Sequence, residues 1–198
     1  DAVIAMPPYI HKPDFASVTE YYTAISDVVD VPVWIQNAGV ASLSAAQIAQ
    51  LCTDIKNVSW VKEEVPPSHK SLSALMEQKC AAIEGVMGGG AGRPMMIEHA
   101  RGSRGVIHAC QFCDLVQKCW ELLDAGDTEG AADLYEILLP GLFVEGLMGM
   151  AFAKEIMVRR GVFKNHIMRG QTAPLDEYDI REIDRIWNRM EPHLVWRR

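Results

Sequence analysis

Long hydrophobic runs and an excess of basic residues are both missing from this sequence. Every apolar stretch is far shorter than the roughly 20 residues that a bilayer-spanning helix needs, and no basic segment precedes an apolar one at the start. We therefore expect neither a membrane span nor a secretory signal. The 26 acidic residues outnumber the 19 Lys and Arg residues, giving a formal net charge of −7. This charge disfavours nucleic acid as a partner, because phosphate binding needs a basic surface.

Cysteine provides little chemistry in this chain. Cys110 and Cys113 form a CxxC motif, but no second pair follows at the spacing of a zinc ribbon, so we predict neither a metal site nor a redox role for it. Cys52, Cys80 and Cys119 lie in apolar contexts and are predicted to be small buried hydrophobes. Reduced cysteines fit an intracellular protein. Together with the acidic charge, this favours a cytoplasmic location.

The 49% hydrophobic and 23% charged composition is that of a globular protein and excludes a disordered chain. Apolar runs and helical periodicities alternate along the first part of the chain, which predicts parallel βαβ units and an α/β fold. Because the runs are apolar throughout, we expect a sheet covered on both faces. The predicted strands are 1–6, 31–35, 57–62, 81–84 and 105–109; the predicted helices are 14–28, 45–52 (capped by Ser44), 70–78 (capped by Ser68), 94–101 and 113–123.

Beyond these five units only helical patterns remain. Residues 127–139, 144–160 and 176–190 predict three further helices. We therefore divide the chain into a βα part, residues 1–124, and a helical part, residues 125–198. Either an open doubly wound sheet or five units of a (β/α)8 barrel accepts this pattern.

Glycine-rich phosphate loops are not found where a nucleotide-binding sheet needs them. Pro7, Pro8 and Tyr9 follow the first predicted strand, with no glycine among them. The segment 88–93 is rich in glycine but lacks the lysine of a phosphate loop and follows the fourth strand. The sequence therefore disfavours a dinucleotide or nucleoside triphosphate as ligand.

The third predicted strand ends in the charged residues Lys62, Glu63 and Glu64. Side chains alternate along a strand, so Trp60, Lys62 and Glu64 share one face. The carboxyl ends of strands are where parallel α/β proteins build active sites. A partly desolvated lysine there favours the neutral amine, which attacks a ketone to form a Schiff base, and Glu64 is placed to move protons. A solvated ion pair at the strand end is the alternative.

Tyr9 follows the end of the first predicted strand, at the same rim of the sheet as Lys62. Its phenol could bind a substrate or pass a proton. A packing role beside Pro8 is the competing explanation.

Five segments in order resemble the dihydrodipicolinate synthase/N-acetylneuraminate lyase family. Its tyrosine motif after the fourth barrel strand, its Schiff-base IKE motif, its SG and GVI motifs, and its C-terminal K…RxPxxPL pattern correspond to segments 8–13, 61–64, 84–85, 105–107 and 154–175. The resemblance implies a (β/α)8 TIM barrel with a helical C-terminal appendage, usually a homotetramer. It also implies class I aldolase-type chemistry on a small-molecule 2-oxo acid, with no metal and no cofactor.

Carried over by position, Lys62 is the imine-forming lysine, and Gly85 and Ile107 line the pocket of the 2-oxo acid. The family's first three strands have no counterpart here and would precede Asp1. We therefore expect the chain to be the C-terminal two-thirds of a barrel, strands 4–8, and expect these 198 residues alone to be inactive.

Two departures from the family narrow the predicted reaction. Gln36 stands where the family has a proton-relaying tyrosine, and an amide does no acid–base work at neutral pH. Glu64, two residues after the lysine, resembles the sugar-acid dehydratases of the family. This implies dehydration of a 2-keto-3-deoxy sugar acid, 2-keto-3-deoxy-L-arabonate above all, to 2-oxoglutarate semialdehyde. Lys62 and Glu64 would be catalytic, Tyr9 and Gln36 would orient the substrate, and Lys12 would meet a distal carboxylate or lie on the surface.

Two other functions stay open at this point. A pyruvate-dependent aldolase or synthase of the same family would use the same lysine. A catalytically silent member with a binding or regulatory role would account for the missing relay tyrosine at Gln36.

Overall fold

The fold is taken from a computed structural model that describes residues 1–11, 13–170 and 172–195. The chain forms two compact units, Asp1–Ile107 and His108–Arg198. The first is an α/β unit and the second contains only helices among its described residues. The predicted alternation of strands and helices is confirmed for the first four strands, and only helices follow them in the described residues. The predicted division at residue 124 follows the family architecture and stays a prediction.

A four-stranded parallel sheet forms the centre of the first unit, with its strands in chain order. The strands are β1 (Val3–Ala5), β2 (Val33–Ala38), β3 (Val58–Glu64) and β4 (Gly85–Met87). β2 and β3 pair with one register shift between Val33 and Trp34 and then continuously to Ala38 and Glu64, so their carboxyl ends finish at the same level.

The two faces of the sheet differ in burial, which corrects the expectation of a sheet buried on both faces. Val33 and Ile35 of β2 and Val61 of β3 are fully buried beneath the helices. The side chains between them, such as Trp34 and Lys62, are only partly buried. This partly buried face contains Gln36, Lys62 and Glu64, whereas Asn37 and Glu63 lie on the buried face.

Four helices connect and follow the strands: α1 (Phe15–Ser26), α2 (Ala45–Asp54), α3 (Ser68–Glu77) and α4 (Met95–His99). Asp14 caps α1 by accepting the amide of Ser17. Ser44 caps α2 in a reciprocal capping box with Gln47, as predicted. The predicted cap Ser68 is wrong: Ser68 is the first residue of α3, and its hydroxyl is bound elsewhere.

The fifth predicted strand is also wrong in the described structure. Val106 makes only an isolated parallel bridge with Gly88. The fourth strand is displaced to Gly85–Met87, three residues ending at a glycine run, so few β4 backbone groups remain to extend a ladder with residues 105–109.

The second unit comprises α5 (Cys113–Asp124), α6 (Thr128–Met148), α7 (Met150–Arg159) and α8 (Glu177–Met190). The predicted break between residues 139 and 144 is wrong, because α6 continues through Pro140. Burial of Leu138 and Leu142 on either side stabilises the helix there. The break occurs instead at Gly149, whose φ of +58° is readily adopted by glycine. None of the helices within the described residues is long and apolar enough to cross a membrane.

Candidate active site

The carboxyl end of β3 contains a lysine–glutamate pair. Lys62 Nζ lies 2.9 Å from Glu64 Oε2, and the two side chains are 14% and 23% exposed. Their positions two residues apart place them on the same face of the strand, as period-two alternation predicts. The pair is therefore shielded from bulk water and still open on one side.

Glu64 is held by three donors. Gln36 lies opposite Lys62 in the β2–β3 register, and its Nε2 donates to Glu64 Oε2 across 3.0 Å. The amide of Gly90 donates to Glu64 Oε1 across 3.2 Å. Burial raises the pKa of Glu64, but the hydrogen bonds from Lys62, Gly90 and Gln36 and the charge of Lys62 outweigh it, so its pKa is lower than usual. The carboxylate is therefore ionised at neutral pH.

The glycine run after β4 makes room for two carboxyl groups. A Cβ added to Gly89 would collide with Glu64, and a Cβ added to Gly88 would collide with Glu98. Gly88 and Gly89 are thus required by close packing against acidic side chains. This packing explains the glycine-rich segment, for which the sequence predicts a loop without a phosphate-binding role.

Two stacked indoles lie one layer below the ion pair, on the same face. The rings of Trp34 and Trp60 are 4.9 Å apart and nearly parallel, at 11°, and Trp60 Nε1 donates to Glu84 across 3.0 Å. Gly85 pairs with Trp60 in the β3–β4 register, and a Cβ there would meet the indole ring. Gly85 therefore lies at the level of the tryptophans, whereas the glycine that contacts Glu64 is Gly89. The predicted role of Gly85 in the substrate pocket stays a prediction.

Glu63 points to the opposite face of β3 and is 1% exposed. Its carboxyl group accepts hydrogen bonds from Asn37 Nδ2 at 2.7 Å and from the amide of Val65 at 2.8 Å. Asn37 also exchanges hydrogen bonds with the backbone of Leu43. Burial raises the pKa of Glu63 despite these contacts. The residue ties together the segments that follow β2 and β3.

Glu98 is the residue that sequence analysis missed. It is fully buried on α4, and its Oε1 accepts a hydrogen bond from Ser68 Oγ at 2.7 Å. Its Oε2 has no hydrogen-bond partner within the described parts of the chain. Burial, followed by the negative charge of Glu64, raises the pKa of Glu98. A glutamate in a short helix is normally exposed to solvent, so the sequence pattern gives no indication that Glu98 is buried.

The remaining predicted site residues lie outside the cluster of Lys62, Glu64 and Gln36. Tyr9 is 54% exposed, and within the described residues it makes no hydrogen bond to that cluster. The amide of Ile107 donates to the carbonyl of Gly88, one residue before the glycine at Glu64. Lys12 lies outside the described residues. In residues 1–11, 13–170 and 172–195, no group of three or more His, Cys, Asp or Glu side chains is arranged to hold a metal.

Comparison with known proteins identifies the family. The dihydrodipicolinate synthetase family matches over residues 1–189. The chain belongs to this family. Its fold is that of a dihydrodipicolinate synthase from Rhodopseudomonas palustris, with a TM-score of 0.84 over 95% of this chain and 65% of that one. At 22% identity, that likeness concerns the fold alone.

Two curated family members differ in their reaction. L-2-keto-3-deoxyarabonate dehydratase of Azospirillum brasilense is 28% identical over 96% of this chain and 63% of its own length. A 4-hydroxy-tetrahydrodipicolinate synthase of Bartonella bacilliformis is 27% identical over 73% of this chain and 51% of its own length. The chain therefore spans less than two-thirds of either relative. Members of the dihydrodipicolinate synthetase family, the dehydratase included, are lyases with Schiff-base, aldolase-type chemistry.

Proposed function

We propose that the chain belongs to a Schiff-base lyase that dehydrates a 2-keto-3-deoxy sugar acid. The substrate that we favour is 2-keto-3-deoxy-L-arabonate, and the products are 2-oxoglutarate semialdehyde and water. The observation that supports this most directly is the Lys62–Glu64 ion pair with Gln36 bound to the same carboxylate. In this proposal β1–β4 are strands 4–7 of a (β/α)8 barrel, and residues 105–107 take the place of the eighth.

The first step is imine formation, which requires a neutral amine and a proton donor, and the ion pair supplies both. Transfer of a proton from Lys62 Nζ to Glu64 Oε2, across 2.9 Å, yields a neutral amine and a carboxylic acid. The amine adds to the C2 ketone of the substrate. Glu64 then returns its proton to the resulting hydroxyl group, which leaves as water and produces the Schiff base.

The second step is elimination. The Schiff base makes the C3 proton acidic, and the Glu64 carboxylate removes it to form an enamine. Loss of the C4 hydroxyl group as water requires a proton donor, a role that the same carboxyl group can fill once it is protonated. The resulting unsaturated imine tautomerises: a C5 proton and the C5 hydroxyl proton are lost, C3 and C4 each gain a proton, and the C5 alcohol becomes an aldehyde. Hydrolysis of the imine consumes one water, releases 2-oxoglutarate semialdehyde and regenerates Lys62. Gln36 supports the role of Glu64, because its amide holds the carboxylate in place without competing for the proton.

The alternative is an aldolase or synthase of the same family, favoured by the synthase relatives. It would begin with the same imine and differ afterwards, since it forms or breaks a carbon–carbon bond. We favour the dehydratase because the dehydratase relative is 28% identical over 96% of the chain, whereas a synthase that aligns over 93% of it is 24% identical. A homotetramer and a cytoplasmic location remain part of the proposal.

Reductive trapping followed by product analysis tests the proposal. With borohydride and either pyruvate or 2-keto-3-deoxy-L-arabonate, we expect a covalent adduct on Lys62 of the wild-type full-length protein, in which the variants below are also made. The adduct is lost in Lys62→Met and retained in the matched variant Lys56→Met, an exposed lysine. Absence of any adduct overturns the lyase and leaves a binding or regulatory role.

The product then distinguishes the two reactions. Mass spectrometry of the sugar-acid reaction should show loss of water, and Glu64→Gln should slow that loss by about 100-fold or more. Release of pyruvate would instead establish the aldolase. Dehydration at the wild-type rate in Glu64→Gln would remove Glu64 from the mechanism.

A further inference from the structure

The CxxC motif at the start of α5 places two thiols on one exposed turn. Cys110 begins a 3-10 turn, Cys110–Phe112, that runs directly into α5 at Cys113. Both cysteines are exposed free thiols. Side chains three positions apart in helical structure are neighbours, with about 5–6 Å between their Cβ atoms. A disulfide requires a Cβ separation of about 3.5–4.5 Å, so the cross-link needs the two exposed cysteines to approach each other.

The two residues between the thiols anchor this turn. Gln111 and Phe112 are each 1% exposed. The Phe112 ring packs edge-on against Phe152, with ring centres 5.9 Å apart. Arg160 Nη1 donates to the carbonyl oxygen of Gln111 across 2.8 Å. The turn is therefore fixed from inside while its cysteines face outwards.

A second contact of Arg160 fixes the residue that follows the motif. Its guanidinium group binds both carboxylate oxygens of Asp114, at 2.7 and 2.8 Å. One buried arginine thus holds the backbone carbonyl of Gln111 before Cys113 and the side chain of Asp114 after it. Because such a turn loses little conformational freedom when it is cross-linked, closing a disulfide there is favoured.

The other three cysteines have different environments. Cys52 and Cys119 are buried, and burial raises the pKa of their thiols to about 12 and about 11. Cys80 is partly buried, and its thiol contacts the carbonyl oxygen of Ala49 at 3.7 Å. The thiolate is the reactive form, so the exposed pair is the part of the chain where thiol chemistry is expected.

The sequence alone predicts no redox role for this motif, but its exposed thiols on an anchored turn point to one. We propose that Cys110 and Cys113 form a reversible dithiol–disulfide site that reacts with low-molecular-weight disulfides. One thiol loses its proton and attacks a sulfur of glutathione disulfide, releasing one glutathione thiolate. The second thiolate attacks the mixed disulfide and releases the other glutathione. The cysteine pair loses two electrons and two protons, and the glutathione disulfide is reduced to two thiols. This inference is independent of the proposed lyase function.

Peptide mapping of the folded chain after incubation with glutathione disulfide tests the proposal. We expect one intramolecular Cys110–Cys113 link, lighter by two hydrogen atoms, at least about tenfold more abundant than glutathione adducts on either thiol. In Cys110→Ser and Cys113→Ser, the remaining thiol should accumulate the glutathione adduct. Cys80→Ser is the matched control and should behave as the wild type.

Two results would overturn this assignment. One is stable glutathione adducts on both thiols of the wild type without a link between them. The other is an unmodified pair under conditions that modify an exposed thiol in a reference peptide. Circular dichroism of each serine variant checks that it is folded, so a failure of the chemistry is not confused with loss of the fold.

Discussion

Glu63 and Glu64 are adjacent in the chain, yet their carboxyl groups lie on opposite faces of β3, and their pKa values are shifted in opposite directions. Glu64 faces Lys62 and Gln36, and its pKa is lowered because these contacts outweigh its burial. Glu63 is 1% exposed behind the strand, where burial raises its pKa. The candidate site therefore presents one ionised carboxylate on its open face, while burial makes the carboxyl group behind it harder to ionise.

The first prediction concerns pH and stability through Glu98. Its folded-state pKa is raised, so the stability that this group contributes is complete below the ordinary glutamate pKa of about 4.3. That contribution falls as pH rises from there through the folded-state value. Glu98→Gln keeps an acceptor for Ser68 and removes the ionisation. We expect its free energy of unfolding, relative to wild type, to increase steadily with pH in urea titrations.

Glu20→Gln is the matched control for Glu98→Gln, because Glu20 is an exposed glutamate on α1. The free energy of unfolding of Glu20→Gln should change with pH in the same way as that of the wild type. Glu64 contributes with the opposite sign, since a lowered pKa gives stability that is lost in acid. Comparing each variant with the wild type at every pH cancels that contribution. A Glu98→Gln difference that does not vary with pH would contradict a raised pKa of Glu98 in the folded protein.

How much of this site the sequence predicts depends on how local each relationship is. Alternation along one strand is enough to place Lys62 and Glu64 on a common face, and the structure agrees. The hydrogen bond from Gln36 depends on the register between two strands, and the family resemblance supplied only its position near the lysine. Glu98 reaches Gly88 from α4, a tertiary contact that no local pattern encodes.

The errors in the predicted elements have the same origin. Proline disfavours a helix interior, yet α6 passes through Pro140 because its neighbours Leu138 and Leu142 are buried. Serine is a favoured N-cap residue, but the hydroxyl of Ser68 donates its hydrogen bond to Glu98 and does not cap α3. Residues 105–109 look like a strand, and only Val106 forms a bridge, because strand pairing is decided by a partner distant in the chain.

The second prediction concerns Gly89→Ala. The added methyl group would occupy the space of the Glu64 side chain, which must move away from Lys62. We expect a loss of about 1–3 kcal/mol in the free energy of unfolding, typical of overpacking. The pKa of Glu64, followed by NMR titration, should rise as its hydrogen bonds are lost.

Gly39→Ala is the matched control for this substitution. A Cβ at residue 39 would make an ordinary contact of 3.8 Å with Pro66, so both stability and the Glu64 titration should remain those of the wild type. Equal behaviour of the two variants would show that Gly89 is not needed for the placement of Glu64.

The third prediction concerns the buried ion pair of the helical unit. Arg160→Met removes both hydrogen bonds to Asp114 and the one to Gln111. Asp114 is then left largely buried without its guanidinium partner, at an expected cost of about 3–5 kcal/mol in the free energy of unfolding. Arg160→Lys should recover only part of it, because an ammonium group cannot bind both carboxylate oxygens in a planar fork. Urea denaturation measures all three proteins.

Arg185→Met is the comparison for Arg160→Met. Arg185 pairs with Glu182 on the surface of α8, where both side chains are exposed, and solvent screens such a pair. Its loss should leave the urea midpoint nearly unchanged. A similar midpoint for Arg160→Met would mean that the Arg160–Asp114 contact adds no net stability.

The fourth prediction concerns the amide of Gln36. In Gln36→Glu a second carboxylate replaces the Nε2 donor that lies 3.0 Å from Glu64 Oε2, and like charges at this distance oppose ionisation. The pKa of Glu64 should therefore rise in an NMR titration of its carboxyl carbon, and Lys62 will be shared between two carboxylates. Gln50→Glu adds the same charge at an exposed position of α2 and should leave the titration unchanged. If Gln36→Glu also leaves the pKa of Glu64 unchanged, Gln36 does not help to hold Glu64 as the ionised partner of Lys62. The proposal that the Gln36 amide positions the carboxylate that transfers protons would then be wrong.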